Sequence, residues 1–242
     1  MVGRVKEQIL FNVRLLSFRT SRDDFESFHL GHLKWGIFCT WIVGMGRWWD
    51  DPGAHILQHL GLGSVVCVFV LSAFIWLLVK PLKPHAWSYR HVLTFVSLTS
   101  LPALLYAIPV ERFSSIDMAI TINGWFLAVV ALWRVSLFFF YLRRQARLSW
   151  LYTEVVGLLF LTIIVTTLFM LNLERVVFDV MGGLRETQKS ANDGAYGILF
   201  LLTALSYVLF IPSFLAYLGV IVHARRTKTS SPEARTFSLS SR

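Results

Sequence analysis

Two histidines four residues apart, with a carboxylate close by, are the first candidates for chemistry in this sequence. His55 and His59 share one face if the segment is helical, and Asp51 lies four residues before His55. Zinc takes imidazole and carboxylate ligands. The Trp-Trp pair and the Pro-Gly turn of the same stretch are equally typical of a loop at a membrane interface. We predict the interfacial loop and no cofactor, and His55, His59 and Asp51 remain the candidate ligands if a metal binds.

The other five histidines do not complete that site. By the topology predicted below, all five lie on the opposite side of the membrane, so a haem held between facing histidines is not expected in this stretch. A second arrangement, in which His32, His91 and His223 meet at the inner ends of three spans, could bind a metal or a lipid phosphate. The five histidines are His29, His32, His85, His91 and His223.

A buried ion pair is the main candidate for function inside the membrane. Arg134 and Glu154 fall on two consecutive apolar segments, joined by a short basic loop that makes the helices antiparallel neighbours. Charges in lipid are costly, so they face the protein interior and pair with each other. The pair is predicted either to line a polar pathway or to hold the two helices together, with Arg134 reaching toward the inner surface.

Hydroxyl side chains precede a proline in the third apolar segment. Ser97, Thr99 and Ser100 allow close helix packing, and they can satisfy a carbonyl freed by Pro102, which lacks a backbone donor. Asn123 on the next segment could join them. The same residues would suit a substrate-facing broken helix, but no internal repeat supplies the matching break that transporters use.

Long apolar runs set the fold class. Of the 242 residues, 55% are hydrophobic and only 15% are charged, whereas a soluble domain carries about a quarter charged residues. Residues 65–79 and 155–171 contain no charge. We predict an all-α, polytopic transmembrane helical bundle at 29–223, followed by a disordered cytoplasmic tail at 224–242. The predicted spans number about six, near 30–47, 60–79, 91–109, 118–141, 149–172 and 196–222.

A separate cytoplasmic segment, residues 1–28, precedes the bundle. Within it Val5, Ile9, Val13 and Leu16 recur at helical spacing, with polar residues on other faces. This pattern predicts an amphipathic helix lying on the membrane surface. The alternative is a helix that packs on the inner ends of the bundle.

The basic residues predict the topology. Arg134 lies within a span, five basic residues fall in the outer loops, and all the others fall on the inner side. Cytoplasmic loops carry this excess, so both termini are predicted in the cytoplasm, in a bacterial inner membrane. The net charge of +9 then reflects topology and contacts with anionic lipids, and no nucleic-acid partner is expected. The five outer residues are Arg47, Arg112, Arg175, Arg185 and Lys189.

A stretch of about 60 residues resembles bacterial members of the Yip family. It comprises His91, Phe95, Pro102 and Pro109, followed by WFLAVVALWRVSLFFFYL at 125–142, and the amphipathic segment before the spans is also similar. Yip proteins usually have five spans, whereas six are predicted here. The resemblance implies a membrane-organising or trafficking-type protein without catalysis.

Three functions remain open from the sequence. The first is a non-enzymatic integral membrane protein that organises partner proteins or lipids, or serves as a subunit of a membrane complex. The second is a small-solute or ion permease that uses Arg134 and Glu154. The third is a membrane redox or metal-binding protein that uses its histidines. Because we find no nucleotide-binding, serine-hydrolase or zinc-protease motif, we predict the first, with the lipid bilayer and other membrane proteins as partners.

Overall fold

The computed structural model describes residues 2–46, 60–84, 86–171 and 193–229, and within them the fold is entirely helical. Short 3-10 helices at Lys80–Leu82, Leu101–Ala107 and Val110–Arg112 join some of the α-helices. The α-helices are α1 (Val2–Leu16), α2 (Arg22–Glu26), α3 (Leu30–Met45), α4 (Leu62–Val79), α5 (Tyr89–Leu98), α6 (Ile116–Arg144), α7 (Trp150–Leu171) and α8 (Asp193–Thr229).

Four of these helices are long and apolar enough to cross a membrane. The segments are Leu62–Leu82 in α4 and its 3-10 turn, Asp117–Arg144 in α6, Trp150–Leu171 in α7, and Phe200–Arg226 in α8. Each exceeds the roughly 20 residues that a bilayer core of about 30 Å requires. The chain is therefore a multi-pass helical membrane protein, as the apolar runs predicted.

The first and third predicted spans take a different form. The helix α3 has 16 residues, or about 24 Å at 1.5 Å per residue, which is shorter than the bilayer core. The helix α5 has only 10 residues and gives way to the 3-10 helix that contains Pro102. A proline lacks the donor that a continuing α-helix needs, so the predicted break at Pro102 is confirmed. Six full spans are not confirmed.

Aromatic side chains form the core between the helices of the bundle. The rings of Phe95 and Tyr141 stack with centroids 4.0 Å apart, which joins α5 to α6. Phe160 of α7 packs against Phe138 at 4.7 Å and against Phe74 at 5.5 Å. Together with α8, whose Tyr217 hydroxyl donates to the Leu78 carbonyl at 2.6 Å, these contacts position α4 to α8 around one core.

The outer surface of the bundle is apolar. On α8, the side chains of Leu201, Val208 and Ile211 are 70%, 72% and 65% exposed. A water-soluble protein rarely exposes large contiguous apolar patches, whereas lipid tails accept such a surface. The exposed face of α8 is what a membrane span requires.

The helices α3 and α5 approach closely at a glycine. A Cβ atom added at Gly36 would meet the Ser97 hydroxyl and would lie 3.1 Å from the Leu98 backbone nitrogen. Next to it, the Thr40 hydroxyl lies 3.0 Å from the Gly36 carbonyl and 3.1 Å from the Ser100 hydroxyl. Small residues permit this contact between backbones, as they do in membrane helix pairs generally.

Gly36→Ala is expected to destabilise the protein by about 1–3 kcal/mol, because the methyl group overpacks the contact between α3 and α5. The matched control is Gly124→Ala in α6, where an added Cβ has nothing within 4 Å. That control should be neutral or stabilising, since glycine costs about 0.5–1 kcal/mol in a helix. Thermal unfolding in detergent, followed by tryptophan fluorescence, measures both variants. Equal midpoints for Gly36→Ala and Gly124→Ala would contradict the close approach.

Candidate functional site

The predicted hydroxyl cluster is buried and bonded to its own backbone. Ser97, Thr99 and Ser100 are at most 4% exposed. Their hydroxyls donate to the carbonyls three residues earlier, at 2.9, 2.9 and 2.7 Å. Pro102 is also buried, in the 3-10 helix that follows. The acceptors are the carbonyls of Thr94, Val96 and Ser97, so these bonds satisfy the backbone where α5 ends. That a hydroxyl satisfies the carbonyl freed by Pro102 stays a prediction.

The three other predicted polar residues lie on α6 and α7. Asn123, Arg134 and Glu154 are each half-buried. At 1.5 Å per residue, Arg134 lies about 15 Å from the end of α6 at Arg144, and Glu154 lies about 6 Å from the start of α7 at Trp150. The helix α6 also runs beyond residue 141, where the predicted span ended.

Two ion pairs join other residues, Arg14 with Asp24 at 3.7 Å and Arg147 with Glu26 at 3.2 Å. Arg134 and Asn123 each make a contact of their own. The predicted pairing of Arg134 with Glu154 stays a prediction.

The candidate metal ligands of the outer stretch, Asp51, His55 and His59, lie outside the described residues. Within the described ranges, no group of three or more His, Cys, Asp or Glu side chains could hold a metal ion. The inner histidines pack as aromatic rings. His32 is 4% exposed and lies 4.6 Å from the Phe11 ring, and His91 lies 6.0 Å from the Phe28 ring.

Residues 2–28 form a folded unit, the N-terminal unit, and a capping box orders its second helix. The Ser21 backbone amide donates to the Asp24 carboxylate at 2.8 Å, and the Asp24 amide donates to the Ser21 hydroxyl at 3.2 Å. This reciprocal pair satisfies the first donors of α2. It fixes the turn that directs Phe25, which is fully buried, into the bundle.

The N-terminal unit is attached to the end of α6. The Phe25 ring packs edge-on against Tyr141 at 5.4 Å. The Trp133 indole N–H donates to the Leu16 carbonyl at 2.9 Å, and Arg147 pairs with Glu26. Apolar, hydrogen-bonded and ionic contacts thus join this unit to α6 and to the loop that follows it, more than 100 residues further along the chain.

Basic side chains gather at the end of the bundle where the N-terminal unit packs. Several lie on aromatic rings: Lys80 Nζ is 4.3 Å from the Trp76 ring centroid, and Arg143 Cζ is 4.9 Å from that of Trp150. Lys and Arg beside Trp are typical of a membrane interface facing anionic lipid heads. We call this surface the basic end. Its basic residues include Arg14, Lys34, Lys80, Arg90, Arg143, Arg144 and Arg147.

Sequence reasoning missed α2, and it gave packing of the first helix on the bundle only as the alternative to a membrane-surface location. The local signal was present, since Ser21 followed by Asp24 and Phe25 is a capping box before an apolar residue. No local sequence pattern, however, predicts that Phe25 packs against Tyr141. The sequence predicted that the first helix either lies on the membrane surface or packs on the bundle. It did not predict that one face of the helix makes one contact and the opposite face the other.

Several buried polar atoms at this junction have no hydrogen-bond partner within the described residues. They include the Tyr141 hydroxyl, on a side chain that is fully buried, and both polar atoms of the Asn12 amide. Burying such a group without a partner costs free energy. The ring of Tyr141 stabilises the junction, and its hydroxyl does not.

Tyr141→Phe is therefore expected to leave stability unchanged or to increase it, because it removes an unpartnered hydroxyl and keeps the ring. The control Tyr141→Ala also removes the stack on Phe95 and should cost about 3–5 kcal/mol. Chemical unfolding in mixed micelles compares the two variants with the wild type. A clear loss of stability in Tyr141→Phe would show that the hydroxyl has a partner.

The capping box also shifts the ionisation of Asp24. Burial opposes the charged form, but the hydrogen bonds from Ser21 and the charge of Arg14 outweigh it and hold the pKa of Asp24 below its usual 3.8. A depressed pKa in the folded state means that this stabilisation is present above about pH 3.8 and is lost as the pH falls through the folded-state value.

Asp24→Asn is expected to loosen the N-terminal unit by about 1 kcal/mol, because a neutral amide accepts the Ser21 hydrogen bond more weakly than a carboxylate and the ion pair with Arg14 is lost. Trypsin should then cleave at Arg19 and Arg22 faster than in the wild type. Asp23→Asn, an exposed neighbour with the same charge change, is the control and should be cut at the wild-type rate. Identical cleavage rates for the two variants would contradict the role of the cap. Carbon-13 NMR of the Asp24 carboxyl checks the pKa directly.

No protein-family model matches this chain, and neither a curated protein nor a solved structure matches it.

Proposed function

We propose that this protein is a non-enzymatic membrane organiser that holds lipids or partner proteins at its basic end. The observation that carries the proposal is the N-terminal unit, which is fixed to the bundle yet presents an apolar helix face outward. The Yip-like features of residues 91–142 point in the same direction, since that family organises membranes.

The two faces of α1 support this function. Phe11 and Leu15 are buried against the core, at 3% and 0% exposure, whereas Ile9, Leu10 and Val13 are 46%, 59% and 55% exposed. A helix with exposed apolar residues beside basic ones lies in the headgroup layer and buries its apolar face there. The helix α1 then contacts the bundle on one side and the membrane surface on the other.

The proposed topology places the basic end in the cytoplasm. The inner loops and both termini carry most of the Lys and Arg residues, as the positive-inside rule requires. The helix α3 and the segment 89–107 also enter the membrane, as two shorter members of a six-segment bundle.

The disordered tail predicted at 224–242 begins within α8, which runs to Thr229, and residues 230–242 lie outside the described residues. A bacterial inner membrane is the proposed location.

The permease alternative receives no support from a specific observation. The hydroxyls of Ser97, Thr99 and Ser100 would have to face a pathway, but each donates to a backbone carbonyl. Their hydrogens are therefore committed to the backbone of their own segment.

Spin labels test the placement of α1. A label at Ile9 is expected to be more accessible to oxygen, which concentrates in lipid, than to a water-soluble nickel chelate. A label at Glu7, exposed on the polar side of the same helix, should show the opposite preference. The measurement uses the full chain in lipid nanodiscs, with Cys39 and Cys67 replaced by alanine. Equal preference for the nickel chelate at both positions would contradict the membrane contact.

Extraction of the protein within native lipid discs tests the organising role. The discs are expected to carry a reproducible protein partner, or a lipid enriched over the bulk membrane, identified by mass spectrometry. The absorption spectrum and the metal content of the same sample test the redox alternative. A Soret band or stoichiometric metal would contradict a non-enzymatic organiser.

A further inference from the structure

An apolar groove of about 420 Å³ runs between α3 and α4. Its volume falls within the range of about 300–1,000 Å³ that ligand sites occupy. Four lining residues repeat at helical spacing along one face of α3, and two more lie three residues apart on α4. The lining residues are Lys34, Ile37, Phe38, Trp41, Leu62 and Val65.

One end of the groove is closed by a fixed tryptophan. The Trp41 indole N–H donates to the Leu60 carbonyl at 2.9 Å, which holds the ring between the two helices. Just beyond it α3 and α4 come together, where a Cβ added at Gly44 would lie 2.8 Å from the Gly61 carbonyl oxygen. As far as the described residues go, this end of the groove is held in place by the Trp41 hydrogen bond and carries no charge.

The other end carries the only charge among the described lining residues. Lys34 lies seven residues before Trp41, or about 10 Å along the helix axis, on the side of the basic end. Its side chain is exposed, and no ion pair described for the chain involves it. An open apolar groove with a cation at one end is complementary to an amphiphile that has an anionic head.

We propose that this groove binds an anionic phospholipid. One acyl chain lies along Ile37, Phe38 and Leu62, and the headgroup phosphate pairs with the Lys34 ammonium. The site requires that the chain lies in a membrane, but it requires neither the membrane contact of α1 nor the organising role, so each can fail separately.

The test is lipid retention by the full chain. Protein equilibrated in nanodiscs of equal phosphatidylglycerol and phosphatidylcholine is transferred to mild detergent, and native mass spectrometry counts the lipids that stay bound. The wild type is expected to retain phosphatidylglycerol preferentially. Lys34→Gln should lower the phosphatidylglycerol to phosphatidylcholine ratio about fivefold, the effect of one basic residue near the surface. Arg90→Gln, an exposed charge of the same basic end but outside the groove, should keep the wild-type ratio.

A second pair of variants tests the groove itself. Val65→Trp fills the space between α3 and α4 and should abolish retention, whereas Val66→Trp, at a position 61% exposed outside the groove, should not. The proposal is overturned if the wild type retains both lipids equally, which indicates annular lipid only. Equal losses in Lys34→Gln and Arg90→Gln would overturn it too, by indicating general surface charge. If Val65→Trp fails to fold, the Lys34 and Arg90 variants, both exposed, still decide.

Discussion

Hydrocarbon offers no hydrogen-bond partners to a polypeptide, and this constraint shapes much of the local detail of the fold. Every spanning segment is helical, so its backbone is satisfied internally. Where α5 ends before Pro102, side-chain hydroxyls donate to the carbonyls nearby. The close approach of α3 at Gly36 brings Thr40 within reach of the same region. The polar residues at the contact between α3 and α5 are therefore explained by the hydrogen bonds that the backbone requires there.

The membrane-spanning helices could be predicted from the sequence because their signal is local. Residues 65–79 and 155–171 are apolar throughout, and no distant contact is needed to recognise a run of that kind. The break at Pro102 was equally local. The first predicted span, 30–47, agrees with α3 to within two residues, but a helix of about 24 Å does not by itself show a full crossing of the bilayer.

The candidate site was harder to predict, because its geometry depends on contacts between distant segments. The serines and threonines near Pro102 were found from their spacing, and the structure gives them a packing role. The depth of Arg134 relative to Glu154 depended on where α6 ends, which the hydropathy pattern leaves uncertain by a turn. Neither the sequence around Phe25 nor the sequence around Tyr141 indicates that the two rings pack against each other.

The attachment of the N-terminal unit has a consequence for synthesis. The Leu16 carbonyl and the Trp133 indole are 117 residues apart in sequence, and Glu26 and Arg147 are 121 apart. At about 5–20 residues per second, the ribosome needs several seconds to deliver these partners. During that interval Phe25 lacks its contact with Tyr141, whereas Phe11 can already pack on Phe28 and His32. The N-terminal unit can therefore dock fully only after α6 and the following loop have been synthesised and have reached their places in the bundle.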